Sequence, residues 1–190
     1  MKTNTNLHYD KISTFPQDGT SKEDQVVYAV IETPQKTRHK YAFDPEIGIF
    51  MLKHTLASGL EWPYDYGFIP QTLGHDGDPL DILLLQDEPT FPGCLVKARL
   101  LGIVRIDKNG VQNDRILGCS VHMPGTALST DKYHDVDDLP EELIAGLCRF
   151  LIDYSAEQGN QMDFKGVQSR KKAMDAIHEG IKAFKKADKR

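Results

Sequence analysis

Three carboxylates crowd into six residues at Asp76-Gly77-Asp78-Pro79-Leu80-Asp81, and an apolar run, Ile82-Leu83-Leu84-Leu85, follows at once. Like charges that close repel unless a cation or strong hydrogen bonds compensate. Gly77 and Pro79 bend and stiffen the backbone, and the apolar run reads as a buried strand. Whatever the fold, it must hold a rigid acidic corner at the edge of a sheet. Hard oxygen ligands of this kind suit Mg²⁺ or Mn²⁺ rather than zinc. A solvated acidic turn is the plain alternative, because Asp, Gly and Pro are turn residues in any protein. A calcium EF-hand fails: Asp81 stands at its glycine position and Leu80 at one of its ligand positions.

Short strands dominate the first two thirds of the chain. Val26 to Glu32 is a β-branched run that reads as a buried strand, stopped by Thr33-Pro34. Strand-like pieces follow at His39 to Phe43, Ile47 to Leu52 and Tyr64 to Ile69, punctuated by Pro63, Gly67 and Pro70. Leu95 to Ile106 and Val111 to Val121 predict a long hairpin around Lys108-Asn109-Gly110, since Asn-Gly is a strong turn signal. The period then changes. Asp138 and Glu141 read as a capping box, and Leu143, Ile144, Leu147, Phe150, Leu151 and Tyr154 fall on one helical face. A second helix is expected from about Ser169, with Met174, Ile177, Ile181 and Phe184 inward and Lys185-Lys186 at its C-terminal end. Strands followed by two helices predict an α+β fold, with helices packed on a mostly antiparallel sheet or small barrel.

With 190 residues the chain suits one domain. Residues 1–24 are polar and read as an N-terminal arm, and residues 25–190 as the domain. The formal net charge of −5 and the lack of interleaved basic and aromatic residues exclude a nucleic-acid partner. No apolar run approaches membrane-spanning length, and Met1 to Asp10 lacks the apolar region of a signal peptide. Cys94, Cys119 and Cys148 are an odd number at long gaps, so neither a zinc ribbon nor a disulfide framework is indicated, and a reducing cytoplasm is the simplest compartment. His75, His54 and His122 carry little signal by themselves. The basic stretch Lys182 to Arg190 reads as a solvated helix face and tail.

From Val26 to Tyr154 the chain resembles the family I soluble inorganic pyrophosphatases. The resemblance rests on Val30-Ile31-Glu32-Thr33-Pro34, Lys40-Tyr41, Pro63-Tyr64-Asp65-Tyr66-Gly67-Phe68-Ile69-Pro70, the acidic loop to Leu83, and Tyr133 to Glu141. It implies a closed, OB-like five-stranded β-barrel with the two C-terminal helices outside. It implies Mg²⁺-dependent hydrolysis of pyrophosphate to two phosphates by metal-activated water attacking in line, with three or four Mg²⁺ per active site and Mn²⁺ as a substitute. It also implies a cytoplasmic homo-oligomer.

The same resemblance assigns roles by position. Asp78 matches the carboxylate that orients or deprotonates the attacking water. Asp76, Asp81 and Asp107 match metal ligands, and Glu32 an acidic residue of the outer site. Lys40, Tyr66 and Tyr154 match groups on the substrate side. Six positions depart from the pattern. Asn113 stands where a bridging aspartate is usual and offers a carbonyl oxygen without charge. Its neighbour Asp114 replaces it only if a bulge brings it round, because strand neighbours face opposite sides. Arg115 replaces a lysine, and Lys53 replaces a phosphate-binding arginine. Ala42, Trp62 and Ser155 remove a carboxylate, a phenol and a cation. Two further functions therefore stand beside pyrophosphate hydrolysis: a weakened or inactive paralogue that binds metal and phosphate ligands or a partner, and a hydrolase of another phosphoanhydride.

Overall fold

The computed structural model describes residues 9–18, 25–121 and 129–189. Its organising element is the long strand β6 (Leu95–Lys108), which receives neighbours along its whole length. The other elements are β1 (Val26–Thr33), β2 (His39–Asp44), β3 (Ile49–Thr55), β4 (Asp65–Phe68), β5 (Asp81–Leu85), β7 (Val111–Gln112), β8 (Arg115–Ser120), α1 (Glu141–Glu157), β9 (Met162–Ser169) and α2 (Arg170–Ala187). No helix among the described residues is long and apolar enough to cross a membrane.

Five strands close on themselves. β1 pairs with β4, β4 with β5, β5 with β8, β8 with β6, and β6 with β1. Every step is antiparallel except β5 to β8. Closure leaves no free edge within the ring, which is why such short strands suffice. The expected α+β barrel with two helices outside is the observed architecture. The expected hairpin turn is also present: Asn109 and Gly110 have φ of 53° and 80°, the left-handed pair that a tight two-residue connection needs.

Period-2 alternation divides the strand residues between two cores. Val27, Ala29, Ile31, Ile82, Leu84, Ala98, Leu100, Ile103 and Ile116 meet one another inside the ring, with Ala173 and Ile177 of α2 packed against them. Tyr66, Leu83, Leu85, Leu101, Val104 and Leu117 face the other way. They are covered by Leu147, Phe150 and Leu151 of α1 and by Trp62. Each fully buried Leu or Ile is worth about 1.5–3 kcal/mol, so these two clusters hold the strands in register. The inward faces of α1 and α2 are those expected from their apolar spacing.

Gly67 lies where β4 passes closest to β1. A Cβ there would sit 2.0 Å from the carbonyl oxygen of Val30, inside any tolerable contact. Gly67→Ala is therefore expected to force the two strands apart. The cost should be at least about 3 kcal/mol, the upper end of ordinary overpacking, and should appear as a Tm roughly 5–10 °C lower by thermal denaturation. A wild-type Tm would show that the barrel yields at this point.

Three local features differ from the sequence expectations. The capping box lies one turn earlier than expected. Asp135 accepts from the Val136 amide, and the Asp138 carboxylate accepts from the backbone amides of His134 and Asp135. Asp138 is thus occupied, and α1 starts after Pro140 with no side-chain cap. Next, β9 had no sequence expectation and adds to the free side of β6. A register shift opposite Arg105 and Ile106, beside Gly166 at φ 119°, breaks the alternation that would have revealed it. Finally, within the expected arm, Tyr9 is buried against Phe43, Phe50 and Phe68 at ring-centroid distances of 4.8, 5.6 and 6.1 Å. Thr14 donates its hydroxyl to the Pro70 carbonyl at 2.8 Å. This segment straps the β2–β3 hairpin to the barrel.

Candidate active site

Alternation places Glu32, Tyr66, Asp81 and Arg115 on the outer face of four neighbouring strands, opposite in direction to Ile31, Gly67, Ile82 and Ile116. The β2–β3 hairpin lies beside this face and delivers Lys40. Glu32 holds the hairpin in place: one carboxylate oxygen accepts from the Phe43 amide at 2.8 Å and the other from Lys40 Nζ at 3.2 Å. Burial pushes the Glu32 carboxyl up and the Lys40 ammonium down, and their mutual attraction only partly offsets this. Lys40 Nζ also sits 3.7 Å from the centre of the Tyr66 ring, a close cation–π contact.

The cluster continues through Tyr66 to Asp81. The Tyr66 hydroxyl hydrogen-bonds Asp81, and burial first, then the charge of Asp81, raises its pKa well above the ordinary phenolic value. Asp81 Oδ2 meets Arg115 Nη1 at 2.6 Å. Arg115 is buried, and the same nitrogen reaches the carbonyls of Asn113 and Asp114 at 2.8 and 3.0 Å. A guanidinium tied to two backbone carbonyls is fixed in place, and its Nε remains buried without a partner among the described residues.

The acidic loop closes the other end. Gly77, at φ 92° with open space around it, supplies the left-handed turn. Asp76 Oδ1 accepts from the Asp78 amide at 3.2 Å, and Asp76 Oδ2 accepts from the side-chain amide of Asn113. Asp78 is exposed at the loop tip. Its carboxyl is pushed up by burial, then by the negative charges of Asp76 and Asp81, and Lys108 opposes this. Asn113 Oδ1 is buried and has no partner among the described residues.

That orphaned oxygen tests whether the corner suits a cation. Among the described residues, no three acidic, histidine or cysteine side chains form a ready-made metal cluster. Asn113 stands beside Asp76, and a turn of its side-chain amide would present that carbonyl oxygen to the corner formed by Asp76, Asp78 and Asp81. The repulsion that raises the Asp78 pKa is what a divalent cation would relieve. The donor set therefore fits a hard divalent metal ion. Asp114 is not part of it. It accepts from Arg105 Nη1 at 2.6 Å, the Ile106 amide at 3.0 Å and Gln112 Nε2 at 2.7 Å, and so is turned away from Asp76.

Two of the expected site residues stand apart. Ile106 is buried in the core under α1, so Asp107 faces the other way and pairs with Lys165 of β9 at 3.3 Å. Lys108 takes the side facing Asp78 instead. Lys53 is exposed, and the reason lies in the hairpin register. Asp44 faces Ile49 and Tyr41 faces Leu52, so an even hairpin would set Lys53 opposite Lys40. A bulge inserts one residue, and His54 pairs with Lys40 instead. The bulge has no sequence signal of its own, so His54 was not legible as a site residue. His122 lies outside the described residues.

Tyr154 completes the wall. Its ring packs on Trp62 and His54 at centroid distances of 4.9 and 5.6 Å. Burial raises its pKa, with Asp81 and Glu32 adding to the shift and Gln158 and Arg115 opposing it. Ser155 is buried, and its hydroxyl approaches the Asn160 carbonyl at 3.5 Å.

Comparison with known proteins gives a consistent result. The inorganic pyrophosphatase family model matches residues 29–185. An inorganic pyrophosphatase of Haloferax volcanii is 33% identical over 169 residues, covering 88% of this chain and 93% of that protein. One from Geobacillus stearothermophilus is 33% identical over 162 residues, covering 85% and 96%. Among solved structures, the inorganic pyrophosphatase from Thermus thermophilus superposes with a TM-score of 0.83 at 28% identity, covering 94% of this chain and 99% of that one.

Proposed function

The chain belongs to the inorganic pyrophosphatase family, and we propose that it hydrolyses inorganic pyrophosphate to two phosphates at the cluster between the acidic loop and the β2–β3 hairpin. One observation carries this reading: the site is polar end to end. Asp76, Asp78, Asp81 and Asn113 gather oxygen acceptors at one end, while Lys40 and Arg115 place buried cations against the ring of Tyr66. A multiply charged anion with two phosphoryl groups, one of them metal-bound, matches that polarity.

The metal end takes divalent cations. Mg²⁺ is the assignment, three or four ions per site with Mn²⁺ as a substitute, and Asp76, Asp81 and Asn113 hold them at the loop. When bound, such an ion lowers the pKa of coordinated water toward neutrality. Asp78 orients the attacking water and accepts its proton. In the metal-free site, burial and then the charges of Asp76 and Asp81 raise its pKa above that of a free aspartate, so it holds a proton more readily. Arg115 and Lys40 neutralise charge on the phosphoryl groups as the bridging P–O bond breaks, and Tyr66 and Tyr154 bound the pocket. Glu32 keeps Lys40 aimed. Asp107 and Lys53 would serve this site only after a change of side-chain orientation that brings them to the cluster. A cytoplasmic homo-oligomer belongs to the same reading. Ile47, Ile49, Met51, Leu52 and Phe91 are exposed apolar side chains that a second copy would cover.

Phosphate release from pyrophosphate, scanned over Mg²⁺ and Mn²⁺, tests the reading. No release at any millimolar metal concentration would reject it and favour the second one, a paralogue that binds without turnover. The neutral Asn113 and the outward Asp107 are the observations behind that alternative, and calorimetry with pyrophosphate and metal would show heat without hydrolysis.

Asn113→Asp gives a graded check on the metal end. It returns a negative charge beside Asp76, where the Asn113 amide now donates. The expected result is tighter metal binding, with the Mg²⁺ concentration for half-maximal activity falling by about tenfold, the equivalent of roughly 1.4 kcal/mol. An unchanged metal requirement would mean that position 113 is not a ligand.

A further inference from the structure

Two ring nitrogens beside Lys40 are buried and have no partner among the described residues: Trp62 Nε1 and His54 Nε2. Trp62 is 1% exposed and its indole nitrogen is only ever a donor. Both rings pack on Tyr154, and Lys40 Nζ lies 5.3 Å from the Trp62 ring centre. Lys40 and Glu157 are the charged groups that act on His54. Burial, then Lys40, pulls its pKa down, so the ring is neutral and can offer an Nε2–H. Phenylalanine at either position would fill the same space and leave no donor stranded. An unsatisfied N–H is costly in a folded protein unless something arrives to accept from it.

The position narrows what arrives. Two neutral donors next to a buried ammonium ask for an acceptor with negative charge. Both rings lie at the Lys40 end of the cluster, with Tyr66, Asp81 and Arg115 between them and the acidic loop. Resting on the pyrophosphatase reading, we infer that Trp62 Nε1–H and His54 Nε2–H donate to oxygens of the phosphoryl group that departs, the one remote from Asp78. Lys40 supplies the charge, and the two rings supply direction. The β2–β3 bulge is what makes the contact available, because it exchanges Lys53 for His54 opposite Lys40. His54 and Trp62 are thus residues that determine how this chain grips its substrate.

Trp62 is the sole tryptophan of the chain, so its emission reports on this pocket alone. The probe is methylenediphosphonate, a non-hydrolysable analogue, titrated with Mg²⁺ present and followed both by Trp62 fluorescence and by calorimetry. A saturable emission change that tracks the calorimetric curve is expected. His54→Phe keeps a ring to stack on Tyr154 but removes the nitrogen, and should raise the dissociation constant by about 10- to 100-fold. His54→Gln, whose amide reaches near the Nε2 position, should recover part of the loss, which a purely structural role would not show. The inference is overturned if calorimetry shows binding while Trp62 emission stays flat, or if His54→Phe binds like wild type. Phosphate release measured in parallel separates the two ideas. Hydrolysis with a silent Trp62 rejects only this contact, whereas tight Trp62-linked binding without hydrolysis rejects the catalytic reading and leaves the contact standing.

Discussion

Asp78→Ala is expected to lower phosphate release from pyrophosphate by about 10²- to 10⁴-fold, the usual contribution of a positioned general base. The stability of the variant should hardly change. Asp78 is exposed at the loop tip, and no side-chain hydrogen bond to it is needed to shape the loop, since Asp76 accepts from its backbone amide instead. Removing a carboxylate from a crowded corner also relieves repulsion with Asp76 and Asp81. The Tm should therefore stay level or rise slightly, within the roughly 0.5 kcal/mol typical of surface substitutions. Catalytic collapse with a preserved fold is the signature of a group that works on the reacting water. A loss of less than about threefold would remove Asp78 from that role. Asp78→Asn serves as the companion: it keeps the shape and hydrogen-bonding capacity but cannot take a proton, so it should be as impaired as the alanine variant if proton transfer is what matters.

How far the site was legible in the sequence depends on whether its positions are fixed locally or by register. Asp76, Asp78 and Asp81 belong to one short loop whose geometry is set by Gly77, Pro79 and the strand that follows, so the acidic corner reads directly from the chain. Tyr66 and Arg115 follow from strict alternation along β4 and β8. The strands were legible as continuous apolar or β-branched runs between turn residues, with Asn109-Gly110 marking one turn, while their closure into a barrel came from the family resemblance. The residues that stand apart from the cluster, and the strand that had no sequence expectation, sit where alternation breaks. At the β2–β3 bulge one inserted residue replaces Lys53 with His54 opposite Lys40. At the end of β6 the buried Ile106 sets the parity, so Asp107 turns to Lys165 and Lys108 turns to Asp78. The register shift beside Gly166 hid β9 in the same way. In a strand, one residue of uncertainty reverses which face a side chain serves, so bulges cost more information than any ambiguous residue type.

Arg115→Met should have the second largest effect, and it should be felt in stability as well as in rate. Arg115 and Asp81 form a close, mostly buried ion pair, with side chains 9% and 18% exposed. Removing one member of such a pair typically costs about 3–5 kcal/mol, because the remaining charge is left desolvated and alone. That is a large part of the roughly 5–15 kcal/mol that stabilises an ordinary domain. Methionine fills much the same volume, so the loss is electrostatic rather than a cavity. Thermal denaturation in EDTA should show a clear drop in Tm. Mg²⁺ should then restore part of it, because a cation at Asp81 replaces the missing guanidinium charge and binds only the folded form. The same titration on wild-type protein should give a smaller gain, since Arg115 already neutralises Asp81 there. Phosphate release should fall by about 10²- to 10³-fold even at saturating Mg²⁺, because the metal restores charge balance at Asp81 but not the donor to the phosphoryl group. A variant with wild-type Tm in EDTA would show that solvent already screens the pair. A stable variant with full activity would remove Arg115 from the substrate side altogether. The pattern of metal-rescued folding without metal-rescued catalysis separates the two roles that this one side chain is placed to serve.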